Sequence, residues 1–327
     1  MDSFEGKIAI VTGGGSGMGR ELVRQLAADG CHVATCDVSG PDADDTRVLA
    51  LDGAPAGTRV TTAVADVSDR AAVASFRDAV AREHATDHVD LLFNNAGIGG
   101  GGSFVSDGED EWDKTFAVCW GGVYHCTREF LPLLLESSAG HVVNTSSVNG
   151  FWASLGPGFP HTAYSAAKFA VKGFSEALIT DFRVNAPHLR VSVVMPGHIA
   201  TNVVLNSFRE HGRDPKTMTA EVADQIRRDL VRRGLPAEGA SDEDIRTLLQ
   251  VQGESFRDLA PTSAAEAATT ILDGVRADRW RILVGDDAEQ LDRAVRDAPA
   301  EAYEPDFFQR IRGAGVFSAL TLPVEGP

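Results

Sequence analysis

The sequence has few of the features that mark membrane, secreted or nucleic-acid-binding proteins. It contains no uninterrupted apolar run of about 18 residues, so we expect no membrane span. The chain does not open on a basic segment followed by an apolar run, which argues against a signal peptide. Its 47 acidic residues outnumber its 30 lysines and arginines, and the net charge of −17 argues against nucleic acid as a partner.

Cysteine is also scarce, which limits metal and disulfide chemistry. The four cysteines (Cys31, Cys36, Cys119 and Cys126) form no C-x-x-C pair, and no histidine cluster completes a zinc site. We therefore expect no metal and interpret these residues as reduced thiols of a cytoplasmic protein. A hydrophobic fraction of 43% is nevertheless enough for a sizeable core.

What the sequence does contain is a regular alternation of apolar and helical segments. Strands are predicted at 7–12, 32–37, 59–64, 89–94, 141–146, 190–195 and 281–285. Helices are predicted at 17–29, 69–84, 109–136 and 163–185. Continuous apolar strands separated by helices are typical of a parallel sheet covered on both faces. The sequence therefore predicts an α/β fold, a doubly wound (Rossmann) parallel seven-stranded sheet with helices on both faces.

One segment goes beyond a minimal version of this fold. Residues 201–262, between the sixth and seventh strands, are polar and are predicted to be helical, with no strand. Because the segment is too short and too polar to hold a core alone, we predict a helical insertion covering the site. The whole chain, 1–327, is then a single Rossmann-fold domain, with 313–327 as a C-terminal tail.

A glycine-rich turn joins the first strand to the first helix. Residues 12–19 read TGGGSGMG. Glycines let the backbone turn tightly and approach a pyrophosphate, and the helix N-terminus offers free N–H groups. The position between a first strand and a first helix favours a dinucleotide site over a plain turn. The predicted contacts are Gly13, Ser16, Gly17, Met18 and Gly19.

The acidic residue that ends the second strand indicates which dinucleotide binds. Asp37 stands where such folds meet the adenosine ribose hydroxyls. A carboxylate repels a 2′-phosphate, and the neighbours Ser16 and Val38 supply no cation, so NAD is favoured over NADP. The alternative is a surface aspartate that caps a turn. Asp66 and Val67, after the third strand, are candidates for adenine contact, although an aspartate there is also a good helix cap.

Further motifs occur in a family-specific order. They are the glycine turn, NNAG at 94–97, SS at 146–147, YSAAK at 164–168 and PG at 196–197. In this order the sequence resembles the short-chain dehydrogenase/reductase family, over about residues 6–201 and again near the seventh strand. The resemblance implies an NAD-dependent oxidoreductase that acts on CH–OH groups, and a homo-oligomer, either a tetramer or a dimer.

The chemistry of the YSAAK motif agrees with this resemblance. Tyr164 and Lys168 are four residues apart, so they share one face of a helix. An ammonium beside a phenol favours the phenolate, as does the positive nicotinamide of NAD. Tyr164 can then take the alcohol proton in oxidation or return it in reduction. The resemblance selects Ser147 over Ser146 as the serine that holds the substrate oxygen, and gives Lys168 a second role on the nicotinamide ribose.

The resemblance also assigns the segments after the fourth and sixth strands to the cofactor. The residues are Asn94, Ala96, Gly97, Pro196, Gly197, Ile199 and Thr201. Asn94 would stabilise the central sheet beside the cofactor, the Pro-Gly pair would pass the nicotinamide face, and Ile199 and Thr201 would hold the carboxamide. A simple turn after a strand is the alternative for the Pro-Gly pair.

Cys119 departs from the family pattern. It stands where the family usually has an asparagine that kinks the helix and holds a water relaying protons to the lysine. A thiol is a weak donor and acceptor, and so a poor replacement. We favour a relay through another water-bound backbone group, with activity retained. Reduced activity, or loss of catalysis with cofactor binding kept, are the alternatives, and a reactive-cysteine role is weaker because buried thiols are usually inert.

The loop between Ser147 and Tyr164 is longer than the family usually has, and it is rich in aromatic residues. Its apolar side chains are Phe151, Trp152, Leu155 and Phe159, which we predict line a substrate pocket closed by the insertion. A bulky hydrophobic alcohol or ketone (terpenoid, steroid-like or aryl) would fit. The alternative is that these residues pack a subunit contact or the lid itself. We interpret His161 as a solvent-facing loop residue rather than a substrate contact.

Three functions compete on these features. The intact Ser147, Tyr164 and Lys168 favour an active NAD-dependent secondary-alcohol dehydrogenase. A catalytically weak NAD-binding sensor or regulatory protein is the alternative, and Cys119 alone favours it. Nucleotide-sugar epimerases and dehydratases use a similar tyrosine–lysine pair, but their larger C-terminal sugar domain and different glycine spacing are absent here.

Overall fold

A seven-stranded parallel sheet lies at the centre of the computed structural model, which describes residues 1, 3–156, 158–232 and 234–313. Its strands are β1 (Ile8–Thr12), β2 (His32–Asp37), β3 (Val60–Val64), β4 (Leu91–Asn94), β5 (His141–Thr145), β6 (Arg190–Pro196) and β9 (Arg281–Val284). Two short strands, β7 (Ile199–Ala200) and β8 (Thr262–Ser263), form a separate parallel pair. The predicted seven-stranded parallel sheet is confirmed.

The order of the strands places a crevice at one edge of the sheet. The order is β3-β2-β1-β4-β5-β6-β9, so the chain reverses direction across the sheet between β1 and β4. Ligands of open α/β sheets bind at the carboxyl ends of the strands beside such a reversal. The glycine turn follows β1 and the NNAG motif follows β4, so both motifs lie at this crevice.

Helices cover both faces of the sheet, so every residue of β1 and β5 is buried. The helices are α1 (Gly17–Ala28), α2 (Gly40–Asp52), α3 (Arg70–His84), α4 (Glu109–Phe116), α5 (Gly122–Leu135), α6 (Thr162–Asn185), α7 (Val203–Glu210), α8 (Ala220–Arg232), α9 (Asp242–Asp258), α10 (Ala264–Arg276), α11 (Asp286–Asp297) and α12 (Pro305–Gly313). Side chains of α3, α5 and α6 fill the core on one face, and those of α1 and α10 fill the core on the other.

Helix α2 was not predicted, and its sequence explains why. It buries only Ala43, Thr46 and Ala50. Apolar residues such as Val48 and Leu49 are exposed instead, so no apolar stripe of helical spacing marks the segment. The other predicted boundaries differ from those observed by one or two residues, which is the usual uncertainty at element ends.

The predicted single helix over 109–136 is wrong. Between α4 and α5 the chain forms a π-helical turn, Ala117–Gly121, that contains Cys119. Such turns insert an extra residue and are frequent at functional sites. The π-helical turn bends the chain at the residue where the family resemblance places a kinking asparagine.

The segment 201–262 contains helices α7, α8 and α9, as predicted, but two expectations about it need correction. Strand β8 begins at its last residue, Thr262, and pairs with β7 just before the segment. The segment also encloses a small apolar cluster of its own, made of Met218, Ala223, Ile245 and Leu249. These four buried side chains show that it holds more apolar packing than its polar composition indicated.

The last described helix ends where the predicted tail begins. Gly313, the first residue of that tail, ends α12, and the remainder, 314–327, lies outside the described residues. Helices α11 and α12 pack on the loop that follows β5. Among the helices that the structure describes, none is long and apolar enough to cross a membrane.

Candidate active site

The glycine turn is shaped for a close approach of backbone and ligand. Gly13 has a φ of +67°, a conformation that side chains rarely adopt. A Cβ on Gly19 would collide with the carbonyl oxygen of Gly13, so α1 starts closer to β1 than any other residue would permit. Ser16 precedes α1 without capping it through its side chain. The first N–H groups of α1 therefore suit an anionic pyrophosphate.

The NNAG turn is joined to the glycine turn by a residue that the sequence analysis did not single out. The amide nitrogen of Asn95 donates to Thr12 Oγ1 at 3.0 Å, and its Nδ2 donates to Thr12 O at 3.0 Å. Asn94 turns elsewhere, because its Nδ2 donates to Thr127 Oγ1 at 2.9 Å and to Asn144 Oδ1 at 2.7 Å. Asn94 thus ties β4 to β5 and α5, and Asn95 ties β4 to the glycine turn.

Asp37 lies at the end of β2 against the glycine turn. Its Oδ2 accepts a hydrogen bond from the Gly15 amide at 2.8 Å, and its Oδ1 accepts one from the Ser39 amide at 3.0 Å. The sequence analysis missed a nearby cation, Arg20, which donates to Gly15 O at 2.5 Å and to Thr46 Oγ1 at 2.9 Å. These bonds hold the Arg20 guanidinium on protein atoms. Asp37 is therefore the charged side chain at the end of β2.

The two adenine candidates after β3 differ in their surroundings. Asp66 is exposed, and its Oδ1 accepts hydrogen bonds from the amide and hydroxyl of Ser68, at 2.8 and 2.7 Å. Asp66 thus closes a local turn and does not cap α3, whose start is capped by Asp69. Val67 is buried, and its carbonyl oxygen bonds to His125 Nδ1 at 3.1 Å. Val67 is therefore held against α5.

The two serines after β5 have different roles. The Ser146 hydroxyl donates to the Lys168 carbonyl oxygen at 2.7 Å, which fastens α6 to the sheet. Ser147 is buried at the start of a 3₁₀ turn, where its hydroxyl accepts from the Asn149 amide at 3.1 Å. A hydrogen bond between Ser147 and Tyr164 lowers the pKa of the phenol. Ser147 is thus the serine that reaches Tyr164.

Tyr164 and Lys168 lie side by side on α6. The Lys168 ammonium is 5.4 Å from the centre of the tyrosine ring and donates to the Thr145 carbonyl oxygen at 2.9 Å. Burial raises the pKa of Tyr164 above its ordinary value, although the Lys168 ammonium and the Ser147 hydroxyl lower it. The effect of Lys168 has the predicted direction, but burial outweighs it among the residues present.

Cys119 lies next to these residues although it belongs to the π-helical turn. Its thiol is fully buried and donates to the Ile98 carbonyl oxygen at 3.1 Å. A Cβ built on Gly97 would lie 3.5 Å from Lys168 Nζ and 3.7 Å from Cys119 Sγ. Both atoms therefore border the same point beside the NNAG turn.

The segment after β6 is held by a buried carboxylate that the sequence analysis missed. Asp287, at the start of α11, accepts a hydrogen bond from the His198 amide at 2.7 Å, and its carboxylate lies against Gly197. Burial raises the pKa of Asp287. Pro196 ends β6 directly before these residues. Because Asp287 is far away in sequence, no local pattern pointed to it.

The two predicted carboxamide contacts lie in different surroundings. Ile199 is buried in the core beneath β1. Thr201 reaches the glycine turn, since its Cγ2 would lie 3.1 Å from a Cβ on Gly17. Thr201 therefore brings the end of this segment to the predicted pyrophosphate position.

The aromatic loop is not the open pocket wall that its sequence predicts. Trp152 is buried against Phe307 of α12, and its indole N–H donates to Ala302 O at 2.6 Å. Because Trp152 is a core residue, we correct its assignment to the pocket. Phe151 packs on the same core and lies under Arg281, at 5.7 Å. The remaining two lining candidates are a half-buried Leu155 and an exposed Phe159.

The expectation of a solvent-facing His161 is also wrong. Its imidazole is half-buried and lies on the Tyr164 ring, with the ring centres 4.7 Å apart and the planes inclined by 33°. Burial lowers the pKa of His161 to about 4. A loop residue that the sequence analysis placed in solvent therefore borders Tyr164.

Helix α7 lies at the carboxyl ends of the strands, next to the glycine turn. Its Asn206 Nδ2 donates to Ser16 Oγ at 3.1 Å, in the glycine turn. The Ser207 hydroxyl accepts from the Gly99 amide at 2.7 Å, and His211 Nε2 bonds to the Gly99 carbonyl oxygen at 2.9 Å. The start of the insertion thus contacts both the glycine turn and the loop after β4.

Comparisons with known proteins show which family the chain belongs to. The chain matches the short chain dehydrogenase family over residues 7–212. It is 34% identical to SadH of Mycobacterium tuberculosis over 316 residues, 97% of each protein. It is 32% identical to the levodione reductase of Leifsonia aquatica over 227 residues, 68% of this chain and 80% of that one.

The fold comparison extends over nearly the whole chain. A short-chain dehydrogenase/reductase from Burkholderia phymatum, solved in complex with NAD, is similar with a TM-score of 0.73 and 27% identity. The similarity covers 93% of this chain and 98% of that one. The chain therefore belongs to the short-chain dehydrogenase family of oxidoreductases.

Proposed function

We propose that the protein transfers a hydride between NAD and a bulky hydrophobic secondary alcohol or ketone, with Tyr164 as the general acid/base. The observation that carries this proposal is the convergence of Ser147, Tyr164 and Lys168 beside the NNAG turn. Three groups that bind an oxygen and move its proton thus lie next to a dinucleotide-type crevice.

The residues at the crevice fit a dinucleotide. The uncapped start of α1 and the close approach at Gly19 suit a pyrophosphate, and Asp37 offers a carboxylate for ribose hydroxyls. We propose NAD rather than NADP, because a carboxylate repels a 2′-phosphate. The NAD complex of the similar Burkholderia phymatum protein supports this choice.

The proton would follow the residues of α6. In oxidation, Ser147 holds the substrate oxygen while the Tyr164 phenolate takes its proton. Lys168 lowers the pKa of that phenol and, on its other side, donates to the Thr145 carbonyl oxygen. A bound nicotinamide supplies the hydride acceptor or donor. We propose that protons leave past Lys168 through water bound to backbone groups, since the Cys119 thiol donates its hydrogen bond to Ile98 O.

The substrate would enter beneath the insertion, which we propose is part of one catalytic domain. Leu155 and Phe159 remain candidates for its apolar wall, with Phe151 at the base. Helix α7 covers the opening through its contacts with Ser16 and Gly99. The name of the similar levodione reductase supports a ketone as the oxidised substrate.

A second function, an NAD-binding sensor with weak catalysis, rests on Cys119. Its thiol occupies the position where the family resemblance expects an asparagine. If the relay depends on that amide, the protein binds cofactor and turns over slowly. The experiment described next distinguishes this function from that of an active dehydrogenase.

The test is to titrate the purified protein with NAD and NADP and then to assay secondary alcohols by NADH fluorescence. For Tyr164→Phe we expect kcat/KM to fall by roughly 10²–10⁴-fold, because the phenol supplies acid/base catalysis. NAD affinity should stay within about threefold. Tyr124→Phe, at an exposed tyrosine of α5, is the matched control and should keep full activity. Tight NAD binding with no turnover by the wild type would favour the sensor.

A further inference from the structure

His161 is placed on the reacting face of the site by the main chain around it. The Thr162 and Ala163 amides, directly after it, each donate at 3.0 Å to carbonyl oxygens of Gly102 and Gly101. The His161 carbonyl oxygen accepts from the Ser165 amide at 3.2 Å, which begins α6. These bonds fix the backbone that follows His161, and the imidazole lies on the Tyr164 ring.

The imidazole carries hydrogen-bonding capacity that the protein does not use. Within the part of the chain that the structure describes, no hydrogen bond or ion pair engages the ring of His161, whose contact is with Tyr164. The ring is neutral above its lowered pKa, so it has one N–H donor and one acceptor nitrogen. A half-buried polar group of this kind is favourable only when a partner satisfies it.

The loop that carries His161 is rich in apolar side chains. The candidate wall residues of the same loop, Phe151, Leu155 and Phe159, are apolar. The loop after β4 that faces it consists of glycines at 99–102. Ser147 and Tyr164 are committed to the reacting oxygen in the proposed function. Two other polar side chains of this loop, those of Asn149 and Thr162, donate to main-chain carbonyl oxygens, which leaves His161 to bind a second polar atom.

We propose that His161 binds a second oxygen of the substrate, on a carbon close to the reacting one. The site would then prefer diketones, hydroxyketones and diols over substrates with one oxygen. This inference rests on the proposed function, because it needs Tyr164 to hold the first oxygen. A site built to hydrogen-bond a substrate group rejects the analogue that lacks it.

The test uses matched ketone pairs with NADH, since a diketone and its monoketone share one carbon skeleton. The pairs are 1,2-cyclohexanedione with cyclohexanone, and 1-phenyl-1,2-propanedione with propiophenone. In each pair the measured quantity is the ratio of kcat/KM, diketone over monoketone. Comparing this ratio between variants removes the intrinsic reactivity of the diketone. His161→Phe keeps an aromatic ring on Tyr164 and removes both nitrogens.

We expect the ratio to fall about fivefold to tenfold in His161→Phe, the usual effect of one hydrogen bond. His161→Asn, which keeps a donor and an acceptor, should recover part of the ratio. His88→Phe is the control, because His88 precedes the amino end of β4, and it should leave the ratio unchanged. If His161→Phe does not fold, His161→Leu makes the same comparison.

Two results would overturn the inference in distinguishable ways. An unchanged ratio in His161→Phe, with both ketones reduced, would reject His161 as the second oxygen site and leave the proposed function standing. No reduction of any ketone by the wild type, with either NADH or NADPH, would reject the proposed function and this inference with it.

Discussion

The two ends of the carboxyl edge are held in place by different kinds of contact. At the nucleotide end (residues 12–19, 37 and 94–97), glycine geometry and short hydrogen-bonded turns shape the surface. At the substrate end (residues 147–164), the loop is held by residues 150 positions away, in the bonds from Trp152 to Ala302 and from Ala153 to Tyr303. The first end is built from a few short sequence motifs, whereas the second is held by a segment 150 residues away.

This difference gives the largest expected effect at the nucleotide end. Gly19→Ala would drive a methyl group into the Gly13 carbonyl oxygen and push α1 away from β1. We expect NAD affinity to fall by at least about a hundredfold, because α1 could no longer approach the pyrophosphate. Isothermal titration with NAD measures the loss.

The matched control for this variant is Gly53→Ala. Gly53 ends α2 with open space around its Cα and a φ of −102°. Its NAD affinity should equal that of the wild type. Wild-type affinity in Gly19→Ala would show that the nucleotide end tolerates displacement, and would remove the contrast between the two ends.

The next effect concerns pH at the substrate end. Because burial raises the pKa of Tyr164, the phenol is protonated at neutral pH and must lose its proton before it can accept one from an alcohol. We therefore expect kcat/KM for alcohol oxidation to rise by about tenfold per pH unit from neutral pH upward, and to level off only above the raised pKa of Tyr164. Ketone reduction, which needs the protonated phenol, should not rise. Initial rates between pH 6 and 10 measure both profiles.

Lys168 provides the check on this assignment. Since its ammonium lowers the pKa of Tyr164, Lys168→Ala should move the rise to more alkaline pH. Lys172→Ala, an exchange in a surface pair with Glu176 one turn later, should leave the profile in place. A flat wild-type profile would exclude Tyr164 as the titrating base.

A smaller effect is expected at Cys119. If backbone groups replace the asparagine relay incompletely, Cys119→Asn should raise kcat about fivefold with little change in KM, because proton transfer improves and substrate contacts do not change. Cys119→Ala, which removes the thiol without adding an amide, should give no gain. Steady-state kinetics measure both. Lower activity in Cys119→Asn, with NAD binding kept, would contradict a relay role for this position.

The contrast between the two ends also explains how much of the fold and the site could be predicted from the sequence. The seven strands and the glycine turn were predictable because each depends on a few consecutive residues, and the family was predictable because several such motifs occur in a characteristic order. Asn95, Arg20 and Asp287 were missed, since a contact such as that of Asp287 with His198 joins segments that are far apart in the sequence. The motif NNAG did hold a signal for Asn95, because two adjacent asparagines on a strand end must point in different directions.

At the substrate end the composition itself was misleading. Trp152 is as apolar as a pocket wall would be, but α12 covers it. Apolar character predicts that a side chain is buried. It does not predict whether a ligand or a helix covers that side chain. His161 looked like a polar loop residue, although the fold carries it onto Tyr164.

The smallest expected effect concerns the anchor of the substrate end. Trp152→Phe keeps an aromatic ring against Phe307 and removes the indole N–H that donates to Ala302 O. A buried acceptor left without its donor costs about 1–3 kcal/mol, so the variant should unfold at lower temperature and lower urea concentration. Because the loop begins at Ser147, KM for substrate should rise a few-fold while NAD affinity stays unchanged. Trp280→Phe, at a half-exposed tryptophan of the sheet edge, should alter neither quantity. If Trp152→Phe weakened NAD binding as much as substrate binding, the two ends would be coupled. The contrast between the nucleotide end and the substrate end would then be wrong.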